Sequence, residues 1–148
     1  MSNLKFLMVL VVSLLIINCT GALVNVNRCG QKVDLPLTIG IGDVFFFQEV
    51  MTGEDNYFGS VFKGDAYKIE LLVSSATKEK ITLDYSEYMK PVAGQYGGYR
   101  KDGPWIKKPA FDKTLEFDLK ETNTIYYKGF EFEIVNISGG KISYKRIK

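Results

Sequence analysis

From residue 67 onward the chain alternates with a period of two. Tyr67, Ile69, Leu71 and Val73 fall between Lys68, Glu70, Leu72 and Ser74, and Ile81, Leu83 and Tyr85 fall between Thr82, Asp84 and Ser86. Successive side chains of a strand point to opposite faces, so this pattern describes strands with one face on a core and one in water. The polar residues 76–80 between the two runs predict a hairpin connection. The same period returns at Leu115, Phe117 and Leu119, and at Phe130, Phe132 and Ile134. Ser138-Gly139-Gly140 then predicts a turn into Ile142 and Tyr144. Lys128-Gly129 interrupts residues 125–137 and marks a tight turn or a bulge.

Two more strands are predicted over residues 33–41 and 44–50, separated by Gly40 and Gly42-Asp43; the run Phe45-Phe46-Phe47 asks for burial on both faces. No long amphipathic helix, internal repeat or proline-rich linker interrupts the pattern. Seven or eight short strands with frequent turns predict an all-β domain, a single antiparallel β-sandwich, immunoglobulin-like or jelly-roll-like, with a small β-barrel as the alternative. At 148 residues the chain holds one such domain, spanning residues 23–148. The pattern leaves the strand order open.

The first residues obey a different rule. Lys5 is followed by residues 6–17 (FLMVLVVSLLII) without a charge. A basic start and a short apolar run make a secretory signal peptide, too short for a membrane span of about 20 apolar residues. Ile16-Ile17-Asn18-Cys19 resembles a bacterial lipobox, although Asn18 stands where that pattern has Gly, Ala or Ser. The resemblance covers the first 19 residues. It implies cleavage after residue 18, a lipid on Cys19, residues 19–22 as a tether, and attachment to the membrane of a bacterial cell envelope. Ordinary cleavage after Gly21 or Ala22 is the competing reading and gives a periplasmic or secreted protein. Cys29 is then either a small buried thiol or, if Cys19 stays unlipidated in the mature chain, its disulfide partner.

Composition narrows the chemistry. The chain has no histidine, which excludes Ser-His-Asp triads, Cys-His dyads and His-rich zinc sites. Two cysteines cannot supply a four-thiolate metal site, and no phosphate-binding loop is present, so no cofactor or metal is expected. A net charge of +2, from 19 basic and 17 acidic residues, lacks the basic excess of a nucleic-acid binder. Exposed carboxylates such as Glu70, Asp84, Glu116, Asp118, Glu131 and Glu133 read as solvated strand faces rather than a glycosidase pair. Residues 52–60 group Glu54, Asp55 and Asn56, a pattern of turn residues without the spacing of a calcium loop.

One stretch stands out as a candidate binding loop. Residues 89–109 break the alternation for longer than loops of compact domains usually run. They gather the single tryptophan, Trp105, with Tyr96, Tyr99, Arg100, Lys101, Lys107 and Lys108. Aromatic rings beside cations suit stacking or an acidic partner, whereas a Trp105 folded into the core would serve only as a plug. The expectation is a non-enzymatic envelope binding module anchored through Cys19. The alternatives are an inhibitor or immunity protein that inserts residues 89–109 into an enzyme, and a carbohydrate-binding module.

Overall fold

The computed structural model describes residues 23–55, 61–93, 97–109 and 112–148. They form an antiparallel two-sheet sandwich with no α-helix among them. Twelve strands are present: β1 (Leu23–Cys29), β2 (Leu37–Gly40), β3 (Val44–Asp55), β4 (Val61–Lys63), β5 (Ala66–Ala76), β6 (Lys80–Met89), β7 (Tyr99–Arg100), β8 (Ile106–Lys107), β9 (Lys113–Asp118), β10 (Thr124–Tyr127), β11 (Phe130–Ser138) and β12 (Lys141–Arg146). The large sheet runs β7-β4-β3-β5-β6-β8, with β1 on the other edge of β3 and β9 on β6. The small sheet runs β10-β11-β12-β2.

Most neighbours in space are neighbours in sequence. The order β3-β5-β6-β9 continues into β10-β11-β12, and β2 closes the circuit by pairing with β12. This is a meander folded into two sheets. Among the described residues no ladder joins β9 to β10 or β2 to β3, so the circuit is a sandwich rather than a closed barrel.

The predicted hairpin is present, Tyr67 pairing with Met89 and Ala76 with Ile81. Lys128-Gly129 proves to be a tight turn between β10 and β11, both residues having positive φ, 46° and 86°. Elsewhere the chain is more strand-rich than the alternation suggested. β1 was not anticipated, β3 continues into the stretch read as a turn, and residues 33–41 keep only β2 as strand, with Val33 in an isolated bridge to Arg146. Residues 56–60 lie outside the described residues. β4 and β5 act as one bent strand opposite β3, bent where Gly53 and Gly64 meet. A Cβ on Gly64 would lie 2.1 Å from the Thr52 carbonyl oxygen, so only glycine fits there.

The main core lies between the sheets. A bulge between Val44 and Phe46 turns both Phe45 and Phe46 inward, while Phe47 faces out, which is how three consecutive phenylalanines are accommodated. Phe45 stacks on Tyr144, with centroids 4.2 Å apart, and meets Phe132 edge-on at 5.1 Å. The Tyr144 hydroxyl donates to the Phe45 carbonyl, so the one polar atom of this stack is satisfied. Leu71, Ile81, Leu83, Ile125 and Ile142 complete the core, each such burial contributing roughly 1.5–3 kcal/mol. Cys29 is a free thiol, half-buried against this core. Cys19 and the leader lie outside the described residues.

Candidate functional site

The core residues come from only part of the large sheet: residues 45–46 of β3, 69–73 of β5 and 81–85 of β6. Beyond them the sheet projects past the small sheet, and this projecting part has two faces with different fates. In an antiparallel sheet, residues paired across strands point to the same side. Glu49, Lys68 and Tyr88 share the outer face, whereas Val50, Tyr67, Met89 and Ile106 share the inner one.

The outer face is covered by the chain's own residues 97–109, the segment singled out as a binding loop. That segment is not a plain loop. β7 pairs with β4 and β8 with β6, so it extends the sheet and folds back over it. Tyr99 is only 4% exposed and forms a second, small core with Met51 and Phe62, against which Trp105, Val26 and Ala66 pack. The Tyr99 hydroxyl donates to the Thr52 carbonyl at 2.9 Å. Lys90, buried beside them, holds the segment down. Its ammonium donates to the carbonyls of Lys101, at 2.9 Å, and Gly103, and sits 4.6 Å from the centre of the Trp105 ring. Burial lowers the Lys90 pKa, with Glu49 and Asp102 acting in the opposite sense. Tyr99 and Trp105 therefore plug the outer face. Arg100, Lys101 and Lys107 stay exposed, Arg100 near Asp102 and Lys107 paired with Asp112 at 3.2 Å. Tyr96 lies outside the described residues.

Among the described residues, none covers the outer end of the inner face in this way. Asn27, Val50, Tyr67, Met89 and Ile106 stand in one register row across β1, β3, β5, β6 and β8, and the last four form an apolar stripe. Tyr67, Met89 and Ile106 are 39%, 40% and 46% exposed, whereas Ile69 and Leu71 further along β5, and Tyr85 and Leu83 further along β6, are buried. Gln48, Ile69, Glu87 and Lys108 follow one step inward. With Tyr67, and with Lys128 and Phe130 from the end of the small sheet, they line a groove of about 570 Å³. The groove is a step: its floor is the projecting large sheet and its wall the β10–β11 turn.

Polar groups in this step are held in place. The Tyr85 hydroxyl, just behind the groove, donates to Glu87, and Lys108 lies 3.9 Å from the other Glu87 oxygen. Lys128 reaches across from the small sheet to the Tyr85 hydroxyl at 3.4 Å, its ammonium over the rings of Tyr85 and Tyr127. Burial raises the pKa of Tyr85, and the hydrogen bond to Glu87 raises it further. Burial also pushes Tyr127 up to about 12, against a contrary effect of Tyr85. Both phenols stay protonated at neutral pH; Tyr85 donates to Glu87, whereas the buried Tyr127 hydroxyl has no hydrogen-bond partner among the described residues. Lys128 holds this pose with a left-handed backbone, where asparagine or glycine is the usual occupant.

Of the described residues picked from the sequence as site candidates, only Lys108 lies in the groove. Gln48, Tyr67, Ile69, Glu87, Lys128 and Phe130 were missed. Alternation put Tyr67 and Ile69 on one face, but no sequence signal says where the opposing sheet stops. Among the described residues, no three Cys, Asp or Glu side chains come together as a metal site requires. No protein-family model matches the chain, and no curated protein or solved structure matches it either.

Proposed function

We propose that this protein is an exported, non-enzymatic binding module of the cell envelope, anchored through a lipid on Cys19, and that its binding site is the bare inner face of the projecting sheet. The observation that carries the reading is the contrast between the two faces of one set of strands. The chain clothes the outer face with Tyr99 and Trp105 and leaves Tyr67, Met89 and Ile106 exposed beside a groove on the other. Exposed apolar side chains beside a groove with fixed polar groups suit a ligand site. Lipidation at Cys19 would place the anchor a short stretch ahead of β1, whose first residue pairs with Glu54 towards the far end of the same projecting sheet.

Two measurements test the reading. Radioactive palmitate should label the wild type and not Cys19→Ala; equal labelling, or none in either, removes the anchor. Capture from an envelope extract should fall at least five-fold with Tyr67→Ser plus Met89→Ser and stay unchanged with Arg100→Ala plus Lys101→Ala. The reverse outcome would support the second reading, a blocking protein acting through residues 97–109. The Lys90 clamp favours that alternative, because it orders the exposed turn at Arg100–Gly103 before any partner arrives.

A further inference from the structure

The charges around the groove do not balance, and the imbalance points to a ligand class. Glu87 is the one carboxylate among the lining residues, and Lys108 already leans on it at 3.9 Å. Lys128 has no carboxylate within ion-pair distance among the described residues; its contacts are the Tyr85 hydroxyl and two aromatic faces. Behind the groove wall, the guanidinium of Arg146 lies over the Phe130 ring at 5.8 Å, and its Nε is buried without a hydrogen-bond partner. Buried donors of this kind are almost always satisfied, so an unpaired one beside an excess of cations marks an anion-favouring end. Away from that end the groove meets, at Tyr67, the stripe Val50-Tyr67-Met89-Ile106, which crosses four strands with the Tyr67 hydroxyl as its one side-chain polar group, about 14 Å at the usual strand spacing.

We infer that the groove takes a single-chain acidic amphiphile, a long-chain carboxylate, with its head at Lys128 and its alkyl chain along the stripe. The inference rests on the inner face being the binding site and names what that site holds. Two other occupants fit less well. A second copy of the chain would need about 800 Å² from each partner, far more than four half-exposed side chains provide. A sugar would need polar partners spaced along its length, and the stripe offers one, the Tyr67 hydroxyl.

Calorimetric titration of the mature chain, each ligand kept below its micelle concentration, tests this with dodecanoate, dodecyl maltoside and dodecyltrimethylammonium. Dodecanoate should bind with one-to-one saturation, and the other two at least ten-fold more weakly. Lys128→Asn, which suits the left-handed turn and so keeps the fold, should weaken dodecanoate at least five-fold and leave the maltoside unchanged. Met89→Ser should weaken dodecanoate through its chain. Equal binding of all three ligands, or no effect of Lys128→Asn, overturns the proposal. So does binding only to phosphatidylglycerol vesicles, which would assign the surface to a bilayer instead. If dodecanoate fails while capture still depends on Tyr67 and Met89, the ligand class is wrong and the site stands.

Discussion

The two faces of the projecting sheet are made from the same strands, yet they are finished in opposite ways. On the outer face, residues 97–109 return over the sheet, and Tyr99 and Trp105 sit on Met51 and Phe62. On the inner face no described segment returns, and Tyr67, Met89 and Ile106 stay exposed. A sheet face with apolar residues is normally buried by some second layer. Here the described residues supply that layer on one face. The lesson is that aromatic content alone does not say which surface is open: residues 97–109 pack Tyr99 and Trp105 against the sheet, and the plainer inner face keeps Tyr67, Met89 and Ile106 exposed.

If this contrast is right, removing outer-face residues must damage stability and removing inner-face residues must not. The largest effect is expected for Phe62→Ala. Phe62 is 5% exposed and stacks on Tyr99 with centroids 5.7 Å apart. Truncation should cost about 3 kcal/mol, at the low end for a phenylalanine because this core has few members that could be held apart around a cavity. Urea unfolding followed by Trp105 fluorescence reads the loss directly, since the chain has one tryptophan. A loss below about 1 kcal/mol would mean that the small core is decoration.

Lys90→Met comes next. Methionine keeps the length and apolar body of the side chain but removes the ammonium that two carbonyls and the Trp105 ring share. Hydrogen bonds from a charged donor contribute about 1.5–3 kcal/mol each, and the carbonyls can regain water once the segment loosens, so a net loss of about 2 kcal/mol is expected. Amide exchange should become faster in residues 97–109 and stay unchanged in β11 and β12. Uniform change across both sheets would show that Lys90 supports the whole fold rather than residues 97–109.

Sequence reading reached the sandwich because its signal is local. Alternation at Ile69, Leu71 and Val73, or at Phe130, Phe132 and Ile134, fixes which side chains face inward, and the structure buries or half-buries them in the main core. The bulge that turns Phe45 and Phe46 the same way was foreshadowed only by the triple phenylalanine. What stayed hidden is non-local. β7 and β8 are two residues each, too short to show a period, and depend on β4 and β6 already being in place. The groove is hidden for the same reason, since it exists where one sheet ends before the other, and register lengths between distant strands leave no mark on composition. Lys90, one lysine among many in the sequence, acquires its role only when residues 101–105 fold onto it.

The smallest expected effect is the most discriminating. Tyr67→Ser plus Met89→Ser removes two side chains from the inner face, and both residues are already about 40% exposed in the folded protein. Exposed positions outside caps, cores and ion networks usually change stability by less than about 0.5 kcal/mol, so the urea midpoint should scarcely move. A small gain is the natural direction, because an apolar patch in water costs free energy that serine relieves. Binding, by contrast, should fall in the same variant. If stability drops as far as in Phe62→Ala, the inner face is a second packed surface and the distinction between the two faces disappears. If neither stability nor binding changes, the faces do differ, but the open one serves no ligand. Only unchanged stability together with lost binding fits a face that the fold leaves bare for another molecule.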